Sequence, residues 1–165
     1  MDISLKLQKI TPENFAEYGE VIVPRAGTPD SSGPDHNWWD ALALAELGIA
    51  SFGIVEAIST GDYHQASLEQ HARTKEILIP VEKDILLVLA KADAFEGAPD
   101  PAKFAAFYAA AGSVVILNEG VWHKAPMVLS GRAACIVLYR AGTGANDKVV
   151  LDMADKGLNI VVDSL

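Results

Sequence analysis

Glu69-Gln70-His71-Ala72-Arg73-Thr74-Lys75-Glu76, running into Ile77-Leu78-Ile79-Pro80, is the stretch from which the fold can be read. It is dense in ionisable groups, yet it lies between two apolar, β-branched-rich segments, Ser51 to Ile58 and Ile77 to Ala90. A charged strand between apolar strands is expected to line a cavity. Side chains at i, i+2 and i+4 of a strand share a face, so Glu69, His71 and Arg73 are expected to point one way. Glu76 lies five residues after His71 and would turn outward on a regular strand. A bend around Thr74-Lys75 brings it back to the same cavity. Gly120-Val121-Trp122-His123-Lys124 forms a second polar cluster. There His123 shares a face with Val121 and Ala125, and Trp122 shares the other with Lys124. The expectation is a fold that sets these two stretches face to face.

Outward from that centre, the chain reads as a series of short strands. Ile3, Leu5 and Leu7 alternate with polar residues, which predicts a first strand. Thr11-Pro12-Glu13 has the form of a helix start, with Gly19 expected to end a short helix. Glu20 to Pro24 predicts a brief strand. Ala26 to Asn37 is rich in Gly, Pro, Ser and Asp and reads as a loop. Of Trp38 and Trp39, one is expected in the core and the other on a pocket or partner surface. Asp40 to Leu47 has helix-forming residues but is short. Further strands are expected at Ser51–Ser59, Ser67–Arg73, Ile77–Pro80, Ile85–Ala90, Val114–Leu117, Val121–Leu129, Ala133–Tyr139 and Leu158–Val162. Lys103 to Ala111 carries a conflict: its alanines favour helix, whereas Phe104 and Phe107 suit a strand in a closed sheet. Closely spaced short strands argue for an all-β sandwich or barrel.

Composition narrows the function. A chain of 165 residues suits one domain, 1–165. Its 22 Asp and Glu against 13 Lys and Arg give a net charge of −9, which argues against nucleic acid as a partner. Cys135 is the lone cysteine and sits in an apolar run, so it reads as a small buried hydrophobe. No leader peptide and no membrane-length apolar run is evident, which leads to the expectation of a cytoplasmic protein without a membrane partner. Gly142-Thr143-Gly144 lacks the strand and helix context of a phosphate-binding loop.

The order Glu69, His71, Glu76, then Gly120 and His123, resembles the two motifs of the cupin barrel. The first motif has two ligands one residue apart, then a glutamate, then an apolar strand. The second has a glycine turn followed three residues later by a histidine. Glu69 stands where the first motif usually has histidine. A resemblance to the ureidoglycolate lyase family covers more of the chain. Thr11-Pro12-Glu13-Asn14-Phe15-Ala16-Glu17-Tyr18-Gly19-Glu20-Val21-Ile22 is similar to the start of that family. Trp39-Asp40-Ala41-Leu42-Ala43, Glu69-Gln70-His71 and Gly120-Val121-Trp122-His123 follow in the family's order. The chain departs from it at Glu76, where glutamine is expected, and at Lys124-Ala125-Pro126, where a second histidine precedes proline.

The resemblance implies an all-β, cupin-like barrel with a short N-terminal helix, and under that fold Lys103 to Tyr108 becomes a strand. It also implies a homodimeric lyase that splits ureidoglycolate into glyoxylate and urea in purine and allantoin breakdown. His71, His123 and Glu76 are the candidate acids and bases. Glu69, Arg73, Lys75 and Trp122 are the candidate substrate contacts, with Arg73 or Lys75 as the cation for the substrate carboxylate. Glu69, His71, Glu76 and His123 are also a ligand set for a first-row divalent ion, so the cofactor is left open between none and a divalent metal. The alternatives are a metal-dependent cupin acting on another small carboxylate, and a non-catalytic cupin that binds a small metabolite.

Overall fold

A computed structural model describes residues 1–163. In chain order its elements are β1 (Asp2–Lys9), α1 (Pro12–Phe15), β2 (Gly19–Ile22), β3 (Ser31–Ser32), β4 (Asn37–Trp38) and β5 (Ala50–Ile58). Then come β6 (Ser67–Gln70), β7 (Glu76–Pro80), β8 (Ile85–Ala90), β9 (Phe104–Ala109), β10 (Val114–Leu117) and β11 (Trp122–His123). The chain continues with β12 (Arg132–Arg140), α2 (Thr143–Asn146), β13 (Val149–Asp152) and β14 (Asn159–Asp163). The architecture is all-β, as expected, and among the described residues both α-helices are single turns, with a 3-10 turn at Pro101–Lys103.

Two sheets carry the fold. A five-stranded sheet runs β2-β10-β7-β12-β5, and a seven-stranded sheet runs β13-β6-β11-β8-β9-β1-β14. Alternating residues of β8 and β9 (Ile85, Leu87, Leu89, Ala105, Phe107) face Leu78, Val115, Leu117, Cys135 and Val137 of the smaller sheet. That inner core is one half of the packing. The opposite face of β8 and β9 (Leu86, Val88, Phe104, Ala106) buries a second core against Ile3, Leu5 and Leu7 of β1 and Ile160 and Val162 of β14. The larger sheet curls round this second core: the Gln65 N–H donates to the Ile160 carbonyl at 2.9 Å, which joins the β14 end to the segment leading into β6. With both faces covered, β8 is apolar at every position.

The same double burial explains β9. Ala105, Ala106 and Ala109 are fully buried between β8 and β1, and this packing outweighs the helix propensity of alanine. The helix start also forms as read. Thr11 caps α1, its Oγ1 accepting from the Asn14 N–H while the Asn14 side chain accepts from the Thr11 N–H. Gly19, however, does not end the helix; it opens β2. A Cβ there would lie 1.9 Å from the Ile116 carbonyl oxygen, so only glycine allows β2 to pair with β10 at that point.

Other expectations need correction. Neither Trp38 nor Trp39 is in a core: Trp38 is exposed and Trp39 half-buried, its Nε1 donating to the Gly27 carbonyl at 3.3 Å. Residues 40–47 form no helix, because Leu42 and Leu44 find no core to dock on and so short a run does not hold itself. The strand expected over 121–129 shrinks to β11, with Met127 making one further bridge to Leu86. The strand expected over 67–73 ends at Gln70. No helix among the described residues is long and apolar enough to cross a membrane.

Candidate active site

β6 and β11 are antiparallel neighbours, and His123 stands directly opposite Glu69. Past Gln70 the chain leaves the sheet. The Gly120 N–H donates to the His71 carbonyl at 2.8 Å, and the Gln70 side chain donates to the Gly120 carbonyl at 2.5 Å. Gly120 has a φ of 79°, the left-handed region in which glycine is favoured. This turn fastens the two polar stretches together. A bend at Ala72-Arg73 then reverses the facing of the chain, and Glu76 enters β7 pointing inward. The bend lies two residues earlier than the sequence suggested, with the same result.

Four side chains therefore converge. The Nε2 atom of His71 lies 3.2 Å from Glu76 Oε2, and that of His123 lies 3.5 Å from the same oxygen. His123 Nε2 is 3.8 Å from Glu69 Oε1. The two imidazole rings are tilted, with centroids 5.2 Å apart. His71, Glu76 and His123 are buried and Glu69 is half-buried. Backbone carbonyls set the tautomers. His71 Nδ1 donates to the Asp147 carbonyl at 2.7 Å, and His123 Nδ1 donates to the Val121 carbonyl at 3.0 Å. A carbonyl only accepts, so each Nδ1 carries a proton and each Nε2 faces the acids.

Burial opposes charge on His71, but the hydrogen bonds to Glu76 and to the Asp147 carbonyl outweigh it and raise the imidazole pKa above its ordinary value. Burial likewise opposes charge on Glu76. Its close contacts with the Nε2 atoms of His123 and His71 prevail and hold its carboxyl down at about 2. Each group thus favours the charged form of the other.

A cavity of about 180 Å³ opens above this group, with Glu69, His71, Glu76, Tyr139 and Lys148 in its wall. His123 sits one layer behind, buried beneath Glu76 and Glu69. Arg73 and Lys75 lie outside it. Arg73 pairs with Asp147 and Asn146, and Lys75 pairs with Glu20 at 3.1 Å. Trp122 faces the second core, where it meets Phe95 edge-on and donates from Nε1 to the Ala92 carbonyl.

Three residues of the site went unread in the sequence: Tyr139, Asp147 and Lys148. The Asp147 carboxylate accepts from the backbone N–H groups of Ala72 and Arg73 at 3.1 and 3.0 Å, while its carbonyl holds His71. It thus fixes the bend that carries the catalytic candidates. Lys148 forms an ion pair with Glu69. The signal that could have found them is indirect: β13 pairs with β6, which places the residues just before Val149 beside the bend after Gln70.

Glu69, His71 and His123 present donor atoms within 4.8 Å of one another. Among the described residues His123 Nε2 is buried without a hydrogen-bond partner, and both rings are oriented through Nδ1 by carbonyls, the usual support for metal-ligating imidazoles. These residues fit a divalent ion.

Residues 2–158 match the family model described as ureidoglycolate lyase. The chain belongs to the ureidoglycolate lyase family. No curated protein sequence matches it. Among solved structures it is similar to a dTDP sugar isomerase from Desulfovibrio desulfuricans (14% identity, 67% of this chain and 68% of that one, TM-score 0.47). It is also similar to an R92A mutant of Bacillus subtilis oxalate decarboxylase (14% identity, TM-score 0.44), covering 62% of this chain and 24% of the other. A third is RmlC from Streptococcus suis in complex with dTDP-D-xylose (15% identity, 55% and 43% covered, TM-score 0.42). The chain spans about a quarter of the length of the oxalate decarboxylases. The all-β class expected from the sequence holds for this ureidoglycolate lyase family member.

Proposed function

We propose that this protein splits ureidoglycolate into glyoxylate and urea, with the His71–Glu76 pair moving the protons. The reaction is an elimination at the carbon that bears both hydroxyl and ureido groups. The hydroxyl loses its proton, its oxygen forms the aldehyde C=O, and the C–N bond breaks. The departing nitrogen keeps that electron pair and takes up a proton. Glu76, held as a carboxylate, accepts the hydroxyl proton, and the His71 imidazolium gives its proton to the urea nitrogen. The pair is left neutral, Glu76 as the acid and His71 as the free imidazole. Because the two atoms are 3.2 Å apart, one transfer from Glu76 to His71 restores the starting state. His123 supports Glu76 from behind. The buried 3.2 Å contact at the cavity wall, in a chain of this family, carries the reading.

The test is urea release from ureidoglycolate by the purified protein, measured against the spontaneous rate. No release above that rate, with and without added divalent ions, sinks it.

The partnerless Nε2 of His123 favours a second reading, a metal-dependent enzyme acting on this or another small carboxylate. Glu69, His71 and His123 would hold the ion, which would supply Lewis acidity toward the substrate oxygen. Glu76 would remain the base. Elemental analysis after purification without added metal separates the two. Stoichiometric metal lost in a His123→Ala variant supports the second. A non-catalytic binding role is the outcome if the carboxylate binds without turnover.

We further propose that the chain works in the cytoplasm, in purine and allantoin breakdown, as one cupin-like domain paired with a second copy. β5 is an open sheet edge, with Phe52 75% and Ile54 73% exposed, a feature that invites pairing. Light scattering of the purified protein tests the dimer.

A further inference from the structure

We propose that Lys148 is the residue that binds the substrate's carboxylate and so selects 2-hydroxy-2-ureido acids over neutral carbinol ureas. This rests on the lyase reading above and deepens it. A carboxylate entering this cavity meets the anionic side chains of Glu69 and Glu76 in the wall. The His71 imidazolium is committed to Glu76 at 3.2 Å, so a further cation is needed to offset the repulsion. Among the described residues that line the cavity, Lys148 is the one Lys or Arg.

The other cations nearby are engaged elsewhere. Arg73 is turned to Asn146 and Asp147, Arg140 reaches the same two residues, and Lys75 pairs with Glu20 on the outside. Among the described residues Lys148 has a single acidic partner, Glu69, and its side chain is 42% exposed, so it keeps access to the cavity mouth. An ammonium carries three N–H donors. Glu69 occupies one, which leaves donors for an arriving carboxylate without breaking the pair.

The placement suits the chemistry. In ureidoglycolate the carboxylate is bonded directly to the reacting carbon. Glu69 is the link between Lys148 and the catalytic group, because its other oxygen lies 3.8 Å from His123 Nε2. A carboxylate held at Lys148 therefore sets the hydroxyl and ureido groups beside Glu76 and His71. The position is fixed from the backbone: Lys148 follows Asp147, which is tied to residues 71–73, and precedes β13, which pairs with β6.

The test uses the intact protein and Lys148→Met and Lys148→Arg variants, with folding checked by thermal melting. Binding of oxalurate, a stable acylurea analogue with a carbonyl in place of the substrate's carbinol carbon, is measured by calorimetry. Turnover is measured on ureidoglycolate and on N-(hydroxymethyl)urea, which lacks the carboxylate. In Lys148→Met the oxalurate Kd and the ureidoglycolate KM should rise about 10- to 100-fold, the loss of one charge-assisted contact. Its kcat should change less, and any N-(hydroxymethyl)urea turnover should stay within about twofold. Lys148→Arg should recover part of the affinity. Oxalurate binding unchanged in Lys148→Met, absent from the wild type, or lost together with N-(hydroxymethyl)urea turnover overturns the assignment. Oxalurate binding that depends on Lys148 in a protein without lyase turnover keeps the assignment and removes the lyase reading.

Discussion

The floor and the rim of the cavity are built differently. On the floor, His71 and His123 are buried and each is pinned through Nδ1 by a backbone carbonyl. Glu76 is locked between them. On the rim, Glu69 and Lys148 hold mainly each other, both partly open to solvent. A floor anchored to backbone does not rearrange when substrate arrives, which is what proton transfer at fixed distance requires. A rim held by one solvated ion pair adapts, and its net contribution to stability is small. The proposed chemistry falls to the first and the proposed selection to the second.

Substitutions separate the two. The largest effect is expected on the floor: His71→Ala should lower kcat by about 10²- to 10⁴-fold, the usual weight of a general acid, with little change in KM. Glu76→Gln should act in the same range. Steady-state urea release measures both, and near-normal kcat in either would erase the distinction.

A smaller effect is expected at the support. Asp147→Ala leaves the Ala72 and Arg73 N–H groups without their acceptor. It should cost about 1–3 kcal/mol of stability and lower kcat by about tenfold as His71 loses its fixed position. Imidazole NMR should show the His71 pKa falling back toward its ordinary value, a change that a purely global loss of stability does not produce.

The pH dependence has two limbs. The Glu76 carboxyl is depressed from 4.5 to about 2, so its contribution to stability is full above 4.5 and is lost as pH falls toward 2. Asp147 is lowered from 3.8 despite its burial, by hydrogen bonds from Arg73 and Ala72, and adds in the same direction. His71 is raised from 6.5, so its contribution is full below 6.5 and is lost as pH rises through the higher folded value. Denaturant melts across pH should therefore be flattest between 4.5 and 6.5. Glu76→Gln should weaken both limbs, and an unchanged profile would show that the floor is not ion-paired. The smallest effect is expected outside the cavity. Lys75→Ala should leave kcat/KM within about twofold and stability within about 1 kcal/mol.

How much of this was legible in the sequence follows from how local each signal is. His123 could be read from strand alternation after the Gly120 turn, and His71 and Glu76 from a short bend following the strand, because these signals act over a few residues. Strand β9 could be placed only by letting the barrel override the alanines, since its decisive contacts come from β1 and β8. Glu69 could be read as a site residue, but its partner could not. Lys148 lies 79 positions later, and only the β6–β13 register unites them. Arg73 and Lys75 looked like substrate clamps because proximity along the chain was the available measure. The bend at Ala72-Arg73 turns both away from the cavity.

The placement of β1 has a consequence for assembly. It lies parallel to β9 on one side and β14 on the other, with Asp2 opposite Asn159 and Leu7 opposite Ala106. Such distant pairings form late, because the intervening loop must close before any contact rewards it. During synthesis the strands that line the inner core are made by Arg140, ahead of β14 at Asn159–Asp163, so Ile3, Leu5 and Leu7 wait for the part of their cover that Ile160 and Val162 supply. Pulse-labelled hydrogen exchange during refolding should find the amides of β1 and β14 among the last to be protected.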